Sequence, residues 1–353
     1  MRTTHRNDSI TAPKFACMGN ASLDLPIVPF TSLSYHVLLY GINDVGPKLD
    51  DMMSEEIPIP ILADDDGNLP MICFRRINAV NSEVLSLRNF VQNDAITRSQ
   101  ELSNALRFID QNTLQPHYEL TVINSKNHNP AIILACINAV VHMLRIRGFK
   151  FITPLILSKP YFEFFENPEK VMIANYEDVG LKNLDSNNVV LTYEDLEWVY
   201  DNISWFWNEQ FVSTEFQLPL EMLYASIFSS SERARLASLW IGIESLIKTK
   251  DADIGKTVKT SLRVFGGISG NKAKNYWGDS IGRCRVIHGV VSKSKTEAEL
   301  KERVDDVREV FCKMLQYFIE RKIVPTEENV FGILDIKEER TSLLTKLRQK
   351  LGL

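Results

Sequence analysis

Apolar residues in the second half of the chain recur at the three- and four-residue spacing of amphipathic helices. The clearest segment, 231–247, predicts a helix with Ser231 as its N-cap. Upstream, Thr192 and Asp195 have the spacing of a capping box, which predicts the start of another helix. That helix should run through Trp198 and the aromatic run 205–207, whose side chains we expect in the core. A later stripe predicts a helix from about Thr296 to Ile319.

The first half of the chain mixes β-forming runs with helical segments, which favours an α+β arrangement. The acidic segment 64–68 is typical of a turn, and Pro130 suits the first turn of a helix. We expect strands at Leu33–Leu39, Leu69–Arg75, Tyr118–Ile123 and Phe149–Leu157, and helices at Asn81–Val91, Thr97–Ile109 and from Pro130 to about Arg147.

A polar stretch from Glu177 to Val189 separates these two patterns, and we place a domain boundary there. The predicted organisation is an α+β domain of unknown role at 1–185, with sensing or regulation as one possibility. An all-α helical bundle follows at 190–322. A helical tail then occupies 323–353, with its helix at Lys337–Leu351.

Composition narrows the class of protein and its setting. Apolar residues make up 44% of the chain, which is ordinary for a globular protein with its own core. The five cysteines are scattered, which argues against a disulfide framework and for a reducing, cytoplasmic location. The polar N-terminus lacks the apolar core of a signal peptide. The apolar run Ala131–Ile146 is too short and too polar for a membrane span, so we expect a buried helix and no membrane partner.

The net charge of −5 hides a local asymmetry. The segment from Lys248 to Lys295 holds eleven Lys and Arg against three Asp, a net of +8, which leaves −13 for the remainder. A basic block in an acidic protein can bind phosphate groups, although a solvated lysine-rich surface has the same composition.

The basic block contains an Arg and a His five residues apart, Arg283 and His288, followed by Gly289. An imidazole titrates near neutral pH and can exchange a proton with a ribose 2′-hydroxyl, while a guanidinium matches the charge that develops on a phosphoryl oxygen. Arg283 could reach His288 if the helix ends and distorts at Gly289, or across a two-fold axis between subunits. The alternative is structural, with His288 satisfying the last carbonyls of a helix.

The second half of the chain resembles the HEPN superfamily, in its Apea-like branch. Four stretches in order carry the resemblance: LTYEDLEW at 191–198, SERARLASLWIGIESLI at 231–247, IGRCRVIHG at 281–289 and the helix from Thr296 to Phe318. They span about residues 190–320, a little over a third of the chain.

The resemblance implies an all-helical domain that forms a homodimer and, in many relatives, a metal-independent RNase of phage-defence or toxin systems. Carried over by position, Arg283 and His288 match the ends of the motif, and Glu244 matches an acid that orients Arg283 or the imidazole. Cys284 stands where Asn or His commonly follows the Arg. The alternative reading is therefore a HEPN module that binds or dimerises without catalysis.

RNA is the partner that this hypothesis implies, and we expect its backbone to contact a set of nearby cations. We expect no cofactor and no metal, because the histidines show no ligand spacing with Cys, Asp or Glu. The glycine-rich segment 266–272 lacks the ending of a phosphate loop and is predicted to be a flexible loop. The expected RNA-binding residues are Arg285, Lys272, Lys274 and Lys293.

Overall fold

The computed structural model describes residues 32–42, 59–62, 69–77, 116–166, 170–177, 191–229, 231–248, 254–279, 281–287 and 296–337. Within these ranges, the first half forms an antiparallel sheet and the second half is mostly helical. This agrees with the expected order of an α+β part followed by a helical part. None of the described helices combines the length and apolar character that crossing a lipid bilayer requires.

Six described strands form the sheet: β1 (Ser34–Tyr40), β2 (Ile59–Leu62), β3 (Met71–Arg76), β4 (Pro116–Ile123), β5 (Leu155–Leu157) and β6 (Ile173–Asn175). They pair in the order β2-β3-β4-β1-β5-β6, and neighbouring strands are antiparallel. Strand β1 therefore lies inside the sheet, between β4 and β5.

Alternation along β1 sends its side chains to two different environments. Tyr35, Val37 and Leu39 belong to the hydrophobic core, which also contains most of helix α1, Pro130–Ile146. The other face of β1 carries Ser34 and His36 followed by Leu38 and Tyr40, and His36 is buried there. Helix α1 begins as the sequence predicts, with a proline in its first turn and the Asn129 side chain accepting a hydrogen bond from a backbone N–H at 2.9 Å.

The helical part begins and ends at residues that its local sequence marks. The Thr192–Asp195 capping box and the Ser231 N-cap are both present, and a second capping box at Thr296 begins the longest described helix. The helices after α1 are α2 (Tyr161–Glu166), α3 (Tyr193–Val212), α4 (Gln217–Phe228), α5 (Glu232–Ile247), α6 (Ile254–Val264), α7 (Gly270–Gly278), α8 (Arg283–Ile287), α9 (Glu297–Glu320) and α10 (327–337).

Buried residues of both halves form one continuous core cluster. Polar contacts cross the same junction at the end of α1. Arg147 donates to Asp195 at 2.6 Å, Lys150 pairs with Asp305, and Gln316 donates to the carbonyl of Ile146 at 2.7 Å. The division into domains near residue 185 stays a prediction, and its boundary lies outside the described residues.

Three expectations about elements need correction. The strand predicted at Phe149–Leu157 is limited to β5, because Pro154 has no N–H for a ladder; Ile152 makes only an isolated bridge to Tyr40. The loop predicted at 266–272 ends early, since helix α7 begins at Gly270. The tail has a helix ahead of the one predicted at Lys337–Leu351: α10, at 327–337, buries Val330 and Leu334 in the core.

Other expectations have different outcomes. Phe206 is fully buried, and Trp205 and Trp207 pack partly buried against the core, as predicted. The predicted turn at 64–68, the helices at 81–91 and 97–109, and the last helix beyond Lys337 lie outside the described residues.

Candidate functional site

Arg283 and Glu244 form a bidentate ion pair, although they are far apart in sequence. Arg283 is the first residue of the short helix α8, and Glu244 lies in the last turn of α5. The Arg283 Nε donates to one carboxylate oxygen of Glu244, and Nη2 donates to the other at 2.7 Å. This geometry fixes the plane of the guanidinium as well as its position.

The two side chains of this ion pair are largely shielded from solvent. The Arg283 side chain is 14% exposed and that of Glu244 is 20% exposed. The guanidinium also lies over the indole ring of Trp277, with its carbon 5.1 Å from the ring centroid. Because both contacts restrict the same planar group, the guanidinium of Arg283 is held by the carboxylate at its edge and by the indole ring at its face.

A tight turn between α7 and α8 sets where Arg283 begins its helix. The Asp279 carboxylate accepts from the backbone N–H of Ile281 at 3.0 Å and from Nη2 of Arg303 at 2.6 Å. A Cβ at Gly282 would lie 2.9 Å from backbone atoms of Trp277 and Asp279, so the turn needs glycine there. The Arg303 contact and the Trp277 ring were not anticipated, because nothing in the local sequence indicates them.

The described basic residues differ in how available their charges are. Lys272 lies 3.6 Å from Asp306 and over the ring of Tyr276, so an acid already faces its ammonium. Lys274 and Arg285 are exposed on α7 and α8. His288, Lys293 and the side chain of Cys284 lie outside the described residues. Of the expected catalytic set, the structure thus brings together Arg283 and Glu244.

A cavity of about 560 Å³ opens next to Glu244, between α4 and α5. Leu218 and Ile241 form an apolar part of its wall and are 42% and 44% exposed. Lys248 and Glu215, which form an ion pair, line its polar part.

Within the part of the chain that the structure describes, no group of three or more His, Cys, Asp or Glu side chains could hold a metal ion. Among the described residues, the candidate site consists of the positioned guanidinium of Arg283 and of Glu244, which also lines the cavity. Comparisons of the chain with protein-family models, with curated proteins and with solved structures give no match.

Proposed function

We propose that the protein is a metal-independent endoribonuclease of the HEPN type, with Arg283 and His288 acting on the RNA backbone. The observation that carries the proposal is the bidentate ion pair of Arg283 with Glu244, which holds the guanidinium of an arginine side chain that is 14% exposed in one orientation, five residues before His288. An oriented guanidinium is what stabilisation of a phosphoryl oxygen requires.

The chemistry follows from the residue types. The His288 imidazole takes the proton of a ribose 2′-hydroxyl, and the 2′-oxygen attacks the adjacent phosphorus. The bond from phosphorus to the 5′-oxygen breaks, and that oxygen takes up a proton. The products are a 2′,3′-cyclic phosphate and a 5′-hydroxyl. Arg283 stabilises the charge on the phosphoryl oxygens, and Glu244 is a positioning residue for Arg283.

Partners belong to the same proposal. The exposed Lys274 and Arg285, with Lys272 and Lys293, would contact the RNA backbone through phosphate groups. A homodimer through the helical part would bring two Arg-His motifs together, and the protein would act in the cytoplasm as a phage-defence or toxin-like effector.

The second candidate function is a binding or dimerisation module of the same helical fold without catalysis. The pairing of Arg283 favours it, because Glu244 already offsets the charge that a phosphate would need. Overexpression separates the two candidates: the RNase predicts toxicity that His288→Ala relieves, and the module predicts none that depends on His288.

The direct test measures cleavage of RNA by the purified full chain in the presence of EDTA. We expect cyclic-phosphate ends, no cleavage at a 2′-deoxy position, and loss of activity in His288→Ala. His128→Ala, a histidine substitution in a partly exposed loop, is the matched control and should cleave as the wild type does. If the wild type and His288→Ala treat RNA identically over a broad RNA pool, the nuclease proposal is wrong.

A further inference from the structure

A second cluster of reactive groups lies on the sheet, apart from the helical site. Ser34 and His36 are two residues apart on β1, so their side chains point to the same face. On the neighbouring strand β4, Thr121 pairs directly with His36, and Glu119 pairs with Leu38. The register thus places a hydroxyl, an imidazole and a carboxylate side by side.

The three side chains are hydrogen-bonded in series, from Ser34 through His36 to Glu119. The Nδ1 of His36 contacts a carboxylate oxygen of Glu119, and Nε2 lies 2.9 Å from the Ser34 hydroxyl oxygen. With an ionised Glu119 and a neutral His36, Nδ1 donates to the carboxylate and Nε2 accepts from the Ser34 hydroxyl. The carboxylate fixes the tautomer in which the imidazole can remove the hydroxyl proton.

Further contacts hold the carboxylate in place. The Thr121 hydroxyl donates to Glu119 at 3.2 Å, and the backbone N–H of Tyr161 donates to its other oxygen at 3.3 Å. His36 is 2% exposed and Glu119 is 1% exposed, whereas Ser34 is only partly buried. His36 and Glu119 are therefore shielded from water, while Ser34 is partly exposed at the end of the cluster.

Apolar side chains share the face of Ser34. Ile123 is the direct cross-strand partner of Ser34 and is partly buried. Met71 pairs with Ile123 on the following strand, and it is 40% exposed. Ile123 is therefore the apolar neighbour of the hydroxyl, and Met71 extends the apolar surface one strand further.

We propose that Ser34 is a nucleophile for carboxylic esters with a short apolar acyl group, with His36 as general base and Glu119 as its positioning residue. The Ser34 oxygen bonds to the carbonyl carbon as its proton moves to Nε2 of His36. The bond from carbon to the alkoxy oxygen then breaks, and that oxygen takes the proton. Water, deprotonated by the same nitrogen, releases the acid and regenerates Ser34. The proposal is independent of the RNase proposal.

The test uses the purified full chain with a fluorophosphonate probe and with p-nitrophenyl butyrate. We expect phosphonylation of Ser34, located by mass spectrometry, and ester hydrolysis, with both lost in Ser34→Ala. Ser238→Ala is the matched control, because the Ser238 hydroxyl is also partly buried but donates to the Ala234 carbonyl at 3.0 Å on helix α5, away from the sheet. Absence of either reaction in the wild type, or its survival in Ser34→Ala, overturns the proposal.

If Ser34 belongs to a catalytic site, its labelling rate must depend on the His36 imidazole. An intrinsically reactive hydroxyl would be labelled without it. His36→Gln should lower the labelling rate about 100-fold or more, the usual contribution of a general base. Glu119→Gln keeps the shape of the side chain and should lower the rate about tenfold or more through the wrong tautomer. Ser34 labelling that proceeds at the wild-type rate in a folded variant of either kind overturns the assignment.

Discussion

The coupling energy between Arg283 and Glu244 measures whether the candidate site is held as the structure indicates. We consider Glu244→Gln, Arg283→Gln and the double variant, compared in a double-mutant cycle. The contact of Arg283 with Trp277 cancels in this cycle, since it is lost in both variants that carry Arg283→Gln. What remains is the ion pair itself.

The magnitude follows from burial and geometry. Exposed pairs contribute about 0.2–1 kcal/mol, and breaking a buried pair costs about 3–5 kcal/mol. Side-chain exposures of 14% and 20%, with two charge-assisted hydrogen bonds, place this pair between those limits. We expect a coupling of about 1–2 kcal/mol.

Urea unfolding of all four proteins gives the free energies for the cycle. The exposed pair Glu309–Lys313 on α9, with side chains 62% and 52% exposed, is the control and should give a coupling of about 0.3–0.5 kcal/mol. Added salt should weaken the control pair more than the Arg283 pair. A coupling for Arg283 and Glu244 of about 0.3 kcal/mol or less would refute the reasoning, because distant sites already deviate by that much.

Two further predictions concern acid stability and the turn. Burial, followed by the charge of Arg145, lowers the pKa of His142 from 6.5 to about 3. Below pH 6.5 the unfolded chain therefore binds a proton at His142 that the folded chain does not. As the pH is lowered, the free energy of unfolding decreases by up to about 1.4 kcal/mol per pH unit. Between about pH 7.5 and pH 5, urea unfolding should show wild type losing about 2 kcal/mol more than His142→Leu, and equal losses would contradict this. Gly282→Ala should cost about 1–3 kcal/mol because backbone atoms block its Cβ, whereas Gly278→Ala, with open space, should cost less in the same assay.

Helix starts in this protein are predictable because their signals are local. A capping residue bonds to a backbone N–H only two or three positions away, so Thr192, Ser231 and Thr296 mark the helices that the structure has. The same rule would have found α7, since Ser269 caps Lys272 at 3.3 Å. The neighbouring glycines made that segment resemble a loop.

Strand pairing is harder to predict than helix starts, because it depends on residues that are distant in sequence. The apolar run 149–157 has the composition of a strand, but only Leu155–Leu157 finds partners in β1 and β6. A strand exists only where a neighbour supplies the other half of the ladder, and Pro154 cannot donate to one. The polar face of β1 was likewise invisible until its register with β4 was known.

The sequence by itself determined the two structural patterns, the helix starts marked by Thr192, Ser231 and Thr296, and the choice of Arg283, His288 and Glu244 as candidates. Only the tertiary structure decided that Glu244 binds Arg283, 39 residues away in sequence. It likewise decided that Glu119 contacts His36, 83 residues away in sequence. Periodicity and capping act within a few residues, and so can be read along the chain. A site depends on directions and distances that packing sets, since side chains remote in sequence converge only when their helices and strands are in place.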